Sequence, residues 1–289
     1  MSAAASTTDR RLRQTWSIGL YRGTSPLDLH PAPEVPQPLL TGPDVTDLSC
    51  AFVADPFLVH HDSLWHLFFE AMDSRTRRGS IALATSPDTL HWTYRGVVLA
   101  EPFHLSYPYV VLYNGEFYMV PESAQAGAVR LYRAERFPDR WRFDRVLLDR
   151  GYADASPFPW NGRWWMLCSR AGNDSLLAFH ADRLTSRWYP HPANPVVRDN
   201  IHHARPAGRV IEWNGALLRF AQACAPDYGT RVWPLRITQL TETEYDDELA
   251  GPSVIGPGDA SWNASGMHHI DAHRLSASGW LAAVDGWRL

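Results

Sequence analysis

A β-hairpin that recurs at intervals of about fifty residues is the feature that most limits the possible folds of this chain. Each copy has an apolar run, a short polar turn and a second apolar run, which predicts two antiparallel strands. The turns are at Asp62-Ser63, Asn114-Gly115, Asn161-Gly162, Asn214-Gly215 and Gly279-Trp280. A repeat of this length is typical of β-propellers, in which each repeat forms one blade.

Most copies contain a third and a fourth strand after the hairpin, and four strands form one propeller blade. The third strands have the sequences SIALATS, AVRLYRA, SLLAFHA and VWPLRIT. One aromatic residue follows each of them, at Trp92, Trp141, Trp188 and Tyr245. Its recurrence once per blade indicates core packing rather than a platform for sugars. A β-sandwich with loosely similar hairpins is the alternative fold, but the regular spacing favours five blades.

The fifth copy ends after two strands, and the missing pair is found at the other end of the chain. Residues 17–23 match the third-strand pattern, and residues 38–40 match the fourth. The predicted fold is therefore all-β: a single five-bladed β-propeller domain over residues 16–289. Its ring is closed by the N-terminal strands, which complete the last blade and remove an open sheet edge. Residues 1–15 are expected to form a disordered tail.

Composition and charge exclude several classes of protein. Of the 289 residues, 45% are hydrophobic and 20% are charged, as in ordinary globular proteins. A net charge of −4 does not suggest nucleic acid or an anionic membrane as a partner. The three cysteines are too widely spaced for a disulfide framework or a zinc site. Since the chain shows no signal peptide and no membrane-length apolar run, we expect a cytoplasmic protein.

Polar residues recur where the first strand of each blade begins and where the second strand ends. In a propeller the first strands line the central channel, and in an antiparallel pair these two positions lie side by side. The residues predicted to converge at this channel mouth are Asp55, Glu70, His104, Tyr107, Glu122, Asp154, Ser169, His202, His203, Arg205, Gln222, His268, His269, Asp271 and Asp285. Such a concentration of titratable groups in one concave place is the candidate functional site.

Carboxyl groups that face each other across a pocket suggest chemistry at a glycosidic bond. One ionised carboxylate activates water or attacks, and one protonated carboxyl gives a proton to the leaving oxygen. The histidine pairs follow a different rule, because neighbouring side chains of a strand point to opposite faces. At most one of His268 and His269, and one of His202 and His203, is expected to face the channel.

Several motifs resemble those of known five-bladed enzymes. Ala54-Asp55-Pro56 resembles the opening motif of glycoside hydrolase family 43, in which this Asp is the general base. Residues 152–156, YADAS, are similar to the third-blade motif, in which Asp154 would tune the acid. A closer similarity is to bacterial domains related to the N-terminal domain of plant glucosamine inositolphosphorylceramide transferase. It rests on the segments EPFHLSYPY, PES, ARPAG and HHID, and it covers the chain from about Trp16 to Asp285.

The chain departs from family 43 at the start of the fourth blade. The family has its acid Glu there, whereas this chain has Ala204-Arg205-Pro206. Glu122 is the best substitute, and His269 or His268 is the alternative acid. Arg205 either pairs with Asp55 or Asp154, or binds an anionic group of the substrate.

The sequence therefore predicts a bacterial, glycoside hydrolase-like enzyme that acts on a small-molecule or glycan substrate by hydrolysis or transfer. Asp55, Glu122, Asp154 and His269 are the predicted catalytic residues. The residues predicted to bind substrate are Glu70, His104, Tyr107, His203, Arg205 and Asp271. The alternative is a propeller without hydrolase activity, which binds glycans or catalyses a lyase or cyclase reaction. No cofactor is expected to be required. Family 43 enzymes often hold a calcium on the channel axis, but no metal is predicted here, and the oligomeric state stays open.

Overall fold

A computed structural model describes residues 14–277 and 279–289 of the chain. Residues 1–13, which make up most of the predicted tail, lie outside the described residues, and the first strand begins at Thr15. The described residues form strands with three short 3-10 helices between them, at Gly42–Asp44, Ala124–Ala126 and Ser261–Asn263. Among the described residues, no helix has the length and apolar character needed to span a bilayer.

Five antiparallel sheets of four strands each form a five-bladed propeller, as the sequence predicts. Blade one contains β3 (Cys50–His61), β4 (Leu64–Asp73), β5 (Gly79–Ser86) and β6 (Thr93–Leu99). Blade two contains β7 (Ser106–Tyr113), β8 (Glu116–Glu122), β9 (Val129–Arg136) and β10 (Arg140–Leu148). Blade three contains β11 (Ala153–Trp160), β12 (Arg163–Ser169), β13 (Leu176–Ala181) and β14 (Tyr189–Pro190). Blade four contains β15 (Ile211–Trp213), β16 (Ala216–Gln222), β17 (Val232–Leu240) and β18 (Tyr245–Leu249).

Blade five joins the two ends of the chain, which confirms the predicted closure. It contains β19 (Ile270–Arg274), β20 (Trp280–Arg288), β1 (Thr15–Ser25) and β2 (Asp28–Pro31), in that order. Strands β1 and β20 are paired from Thr15 opposite Arg288 to Gly23 opposite Trp280. Because β1 covers it along its length, strand β20 has no free edge on that side.

The fourth strand of blade five differs from the prediction. Residues 38–40 were predicted to form it, but β2 takes this place, and Leu40 contributes only an isolated bridge to Ile18. The chain turns back directly after Ser25, so β2 pairs with the strand that precedes it. A short connection of this kind loses less chain entropy than the longer loop that the prediction required.

Apolar side chains fill the spaces between neighbouring blades. Five buried clusters each combine residues of two adjacent blades. Representative pairs within them are Leu67 with Leu281, Phe68 with Met119, Val120 with Met166, Phe158 with Leu217, and Phe220 with Ile270. Burial of such side chains is the main driving force that holds the ring together.

The recurring tryptophans belong to these clusters, as predicted. Trp141 and Trp188 are buried, and Trp92 packs against the cluster between blades five and one. Each indole N–H donates a hydrogen bond to a backbone carbonyl three or four residues earlier in the chain. Because the indole is satisfied locally, these residues serve packing and turn formation in each blade.

Candidate functional site

One mouth of the channel opens into a cavity of about 300 Å³. Six of its polar lining residues come from predicted positions, namely Asp55, Glu70, His104, Glu122, Arg205 and His268, and Gln14 and Ser106 complete the polar lining. The rest of the lining is largely apolar, with Trp16, Phe52, Met72 and Tyr228. A concave site with an apolar wall and a few polar groups is the usual form of a small-molecule site.

A bulge at the start of the first strand recurs in blades one, two and three. The residues at the bulge are Asp55, Tyr107 and Asp154, and each has a positive φ, of 52°, 47° and 53°. The strand pairing shifts register at the same places. Backbone in this region is rare for residues other than glycine, and such strain is concentrated at functional sites. The repeated bulge turns these three side chains toward the channel axis.

Asp55 is held at the centre of the mouth by contacts from two blades. Its own N–H donates to Asp285 Oδ2 at 2.9 Å, and the Tyr107 N–H donates to Asp55 Oδ2 at 3.2 Å. Its other oxygen lies 3.5 Å from His268 Nε2. Burial raises the pKa of Asp55 to about 7, and Asp285 and Asp154 add to this rise, against the lowering effect of His268.

His268 forms a bridge between two carboxylates. Its Nδ1 lies 2.7 Å from Asp285 Oδ1, so Nε2 faces Asp55. The ring also stacks on Trp16, with 4.1 Å between the ring centroids. Burial works against the charged imidazole, but Asp285 and Asp55 raise the pKa of His268. The bridging histidine can therefore carry positive charge between two acids.

Arg205 is paired with the acid of blade three. Its guanidinium donates to both oxygens of Asp154, at 2.6 and 3.2 Å, and to Asn173 Oδ1 at 2.8 Å. Asp154 also accepts a hydrogen bond from Gln222. The side chain of Asp154 is 2% exposed and that of Arg205 is 14% exposed. Of the alternatives that the sequence left open, the structure therefore places Arg205 in a bidentate ion pair within the protein.

Glu122 lies beside this pair and faces the cavity. Arg205 Nη2 is 3.5 Å from Glu122 Oε2, and the Glu122 side chain is 15% exposed. Burial, followed by the charge of Asp154, raises the pKa of Glu122 to about 8, although Arg205 acts in the opposite direction. Glu122 is thus a carboxyl group of this cavity that retains a proton near neutral pH.

Glu70 and His104 form another part of the lining. His104 Nδ1 accepts a hydrogen bond from the Gly79 N–H, and His104 Nε2 lies 3.7 Å from Glu70 Oε1. Burial raises the pKa of Glu70 well above its ordinary value, and the charges of Asp55 and Glu122 add to the rise. Burial lowers the pKa of His104. Glu70 is therefore an acid whose nearest imidazole is neutral at ordinary pH.

Two predicted residues lie deeper in the channel, below the cavity. The Tyr107 hydroxyl accepts a hydrogen bond from the Gly208 N–H, donates to the Gly208 carbonyl and lies 2.8 Å from Ser156 Oγ. His269 packs edge-on against Phe57 and Tyr107, and burial lowers its pKa to about 4. Both side chains connect blades across the axis, and neither lines the cavity.

Strand alternation does not decide the positions of His268 and His269. Both are buried next to Asp55, with His269 Nδ1 at 3.8 Å from its carboxylate. The reason is that both residues precede β19, which begins at Ile270, so they lie in irregular backbone. The period-two rule of a strand does not apply there.

The remaining two predicted residues lie away from the cavity. Asp271 is fully buried, and its oxygens bind Arg209, His273 and the Leu58 N–H. Burial works against its ionisation, but Arg209 and His273 hold the pKa of Asp271 below its ordinary value. His203 packs against Trp233 in blade four. These contacts are structural, and the structure does not bring either residue to the channel mouth.

The family of the chain follows from comparison with known proteins. A family model described as the N-terminal part of glucosamine inositolphosphorylceramide transferase 1 matches residues 9–287. The chain belongs to this family. A curated member from Oryza sativa subsp. japonica is 36% identical over 299 residues, which cover 95% of this chain and 40% of that protein. The chain therefore spans about two fifths of the length of the curated relatives it matches.

Solved structures with the same fold are glycoside hydrolase propellers. A structure of the GH130 family of mannoside phosphorylases and glycoside hydrolases is 12% identical, with a TM-score of 0.62, and the match covers 93% of this chain and 94% of that one. A thermostable family-43 glycoside hydrolase is 13% identical, with a TM-score of 0.53, and the match covers 71% and 77%. At such low identity these likenesses show the fold alone. These structural similarities agree with the five-bladed fold of the chain.

A cluster of possible metal ligands lies at the axis of this family member. Asp55, His268 and Asp285 offer ligand atoms that lie within 4.8 Å of one another. Calcium takes roughly six to eight oxygen ligands. Here one of three groups is an imidazole, and Asp285 Oδ1 already accepts hydrogen bonds from the backbone N–H groups of His268 and His269. These residues do not fit a calcium ion.

Sequence reasoning missed two aromatic contributors to the site. Trp16 comes from the closing strand β1, and Tyr228 comes from the loop after β16, so neither has a counterpart in the hairpin repeat. Asp285, by contrast, was placed at the channel mouth from the sequence, because it lies near the end of the second strand of blade five, as Glu70 and Glu122 do in their blades. No sequence signal pointed to Trp16 or Tyr228 as lining residues.

Proposed function

We propose that this chain is a carbohydrate-active domain that binds a sugar-containing ligand in the channel-mouth cavity. We further propose that it acts on a glycosidic bond there, by hydrolysis or by transfer. The observation that carries the proposal is that two acids with raised pKa values, Asp55 and Glu122, line one cavity with an aromatic wall. The family and the names of its structural neighbours support a role in carbohydrate chemistry.

Glu122 is the proposed acid. With a pKa of about 8, it keeps its proton at neutral pH and can deliver it to a leaving oxygen. It does so from blade two, whereas the resemblance to family 43 implies an acid on blade four. In this chain the blade-four position is taken by Arg205, which contacts Glu122 and, through its pair with Asp154, is fixed in place. As the acid gives up its proton, Arg205 stabilises the carboxylate that forms.

Asp55 is the proposed base or nucleophile. A pKa of about 7 leaves a substantial ionised fraction at neutral pH, and the Tyr107 N–H and His268 orient the carboxylate. Because the strained bulge fixes the Asp55 backbone, its carboxylate has little freedom to reorient, as a base acting on a bound substrate requires. The sequence also assigned Asp154 and His269 to catalysis. In this proposal Asp154 acts by holding Arg205 in place, and His269 acts by packing beside Asp55.

The aromatic wall suits a sugar ring. Trp16 and Tyr228 line the same cavity as the acids, and Trp16 is held by its contact with the His268 ring. Aromatic faces beside polar groups bind amphipathic ring ligands well, since the ring buries its C–H face while its hydroxyls reach polar partners. We therefore expect a bound sugar to contact both the aromatic wall and the two carboxyls.

A glycan-binding domain without bond cleavage is the second candidate. It is favoured by the salt bridge between Glu122 and Arg205, because a carboxyl that is held in an ion pair gives up its role as acid. It also agrees with a chain that spans only part of its curated relatives, whose reaction can reside elsewhere in them. A cytoplasmic location, a bacterial source and the absence of nucleic-acid or membrane partners stay predictions.

Two conservative substitutions test the enzymatic proposal. Wild-type protein is assayed against a panel of aryl glycosides and oligosaccharides, with product detected by chromatography. For any substrate cleaved, Glu122→Gln and Asp55→Asn are each expected to lower kcat by about 10² to 10⁴. Glu212→Gln, an exposed change on the hairpin of blade four, serves as the matched control and is expected to retain full activity.

The second candidate makes the opposite prediction. It predicts glycan binding by calorimetry with no cleavage of any substrate in the panel. Cleavage that is unaffected by either carboxyl variant would overturn the proposed roles of Asp55 and Glu122.

A further inference from the structure

Two open cavities adjoin the hairpin of blade four that joins β15 to β16. Their volumes are about 510 and 280 Å³, and Ala216, Leu217 and Arg236 line both of them. The larger cavity is also lined by Trp160, at the end of β11. Because β11 begins at the channel mouth and has 8 residues, this cavity lies about 20 Å from the mouth. A ligand in these cavities therefore leaves the channel mouth free.

Each cavity contains a tryptophan that comes directly before an Asn-Gly turn. Trp160 precedes Asn161-Gly162 and lines the larger cavity, and Trp213 precedes Asn214-Gly215 and lines the smaller one. Both side chains are only partly buried. No described residue accepts a hydrogen bond from either indole N–H, and neither N–H is sealed from solvent. These two rings are therefore open to a ligand, unlike the tryptophans whose indole N–H groups bond to backbone carbonyls.

The other groups that line these cavities are mostly neutral. The polar ones are exposed amides and hydroxyls, on Asn161, Asn214, Thr238, Gln239 and Thr241. Amides and hydroxyls both donate and accept hydrogen bonds, as the hydroxyl groups of a sugar do. The floor of the larger cavity is apolar, with Leu217 and Ile237 buried. An apolar floor with a neutral polar rim suits an uncharged amphipathic ligand.

Charge is balanced within the two cavities. Arg236 and Glu248 are the charged residues among the described lining, and they form a salt bridge with each other. The cavities therefore offer neither a free charge for an ion nor a pair of carboxyl groups for chemistry at a glycosidic bond. The channel mouth differs, because several acids line it. This lining supports binding of a ligand without cleavage.

We propose that the two cavities form a non-catalytic site for a neutral oligosaccharide, in which Trp160 and Trp213 each contact one sugar ring. An indole face covers the C–H face of a sugar, while the neighbouring amides and hydroxyls bind its hydroxyl groups. Two such contacts on one ligand act together, so an oligosaccharide binds more tightly than a monosaccharide. The site holds a glycan on the ring whether or not the channel mouth cleaves a bond.

Calorimetry and NMR on the whole chain test this inference. The probes are the neutral tetrasaccharides maltotetraose, cellotetraose and mannotetraose, each beside its monosaccharide, with tetragalacturonate as the anionic comparison. At least one neutral tetrasaccharide is expected to bind at least about tenfold more tightly than its monosaccharide and than tetragalacturonate. It is expected to shift the indole N–H signals of Trp160 and Trp213, with little dependence on salt. Asp55→Asn is expected to leave this binding unchanged, which separates it from the proposed function.

Substitutions in the cavities identify the site. Trp160→Ala and Trp213→Ala assign the two indole signals, and each is expected to weaken binding at least about tenfold. Thr238→Lys fills the larger cavity from an exposed position of β17 and leaves the packed side chains intact. It is expected to weaken binding as strongly. Thr243→Lys makes the same change at an exposed residue outside both cavities and is expected to bind as the unaltered chain does.

Three results would overturn the inference. One is that none of the neutral tetrasaccharides binds. Another is binding that leaves both indole signals unshifted or that survives Thr238→Lys. The third is concentration-dependent association of the chain that Thr238→Lys abolishes in sedimentation experiments, which would make a second copy of the chain the occupant of the cavities.

Discussion

Deletion of residues 1–45 is expected to abolish cooperative unfolding. The deletion removes β1 and β2, which form half of blade five, and β1 pairs with β20 along the whole length of β20. It also removes Trp16, Ile18 and Leu20, which are buried. Burial of each such side chain contributes about 1.5–3 kcal/mol. Their sum is comparable with the total stability of a typical domain, about 5–15 kcal/mol.

Denaturant titration followed by tryptophan fluorescence and circular dichroism measures this effect. Full-length protein is expected to unfold in one sigmoidal transition, and the deletion variant is expected to show none. Deletion of residues 1–12 is the control and is expected to leave the midpoint unchanged. If the longer deletion unfolds with the midpoint of the full chain, closure of the ring by β1 does not contribute to stability.

The second large effect is expected from Asp154→Ala. This change leaves the buried Arg205 guanidinium without its bidentate partner, and removal of one member of a buried ion pair costs about 3–5 kcal/mol. Arg205→Met in the same protein removes the orphaned charge. The double variant is therefore expected to be more stable than Asp154→Ala alone, and a double-mutant cycle gives the coupling energy.

Arg136 and Asp139 provide a matched control for this prediction. They also form a bidentate pair, with both distances 2.9 Å, but their side chains are 70% and 46% exposed. Asp139→Ala is expected to change the free energy of unfolding far less than Asp154→Ala, because water solvates the guanidinium that remains. Equal effects of the two substitutions would show that burial does not determine the strength of the Asp154–Arg205 pair.

The hairpin repeat was sufficient to predict the blades and the positions of most polar lining residues. Spacing from the turns places Asp55, Glu70 and Glu122 at strand ends, and antiparallel pairing then brings those ends to one mouth. The prediction worked because each blade is a local unit whose turns are visible in the sequence. The ring closure was equally visible, since the N-terminal segment has the pattern of the strand that the last blade lacks.

Other features depend on geometry that a repeat does not encode. His268 and His269 lie in irregular backbone before β19, so strand alternation does not apply to them. Asp271 occupies a channel position in sequence, but Arg209, which no motif marked, reaches across from blade four and binds it. Trp16 reaches the cavity only because the ring closes. In each case the determining contact joins residues far apart in the chain, and a single sequence does not reveal such contacts.

Carboxyl-carbon NMR titration tests the central claim most directly, because it requires no substrate. The claim is that Asp55 and Glu122 form an acid–base pair at the channel mouth. With labelled aspartate and glutamate side chains, we expect one titration step near pH 7 from Asp55 and a second near pH 8 from Glu122, both far above the ordinary range of such groups. Asp55→Asn is expected to remove or displace the first step and Glu122→Gln the second. If both carboxyl groups titrate completely below about pH 5, as exposed acids do, the proposed acid–base pair is contradicted.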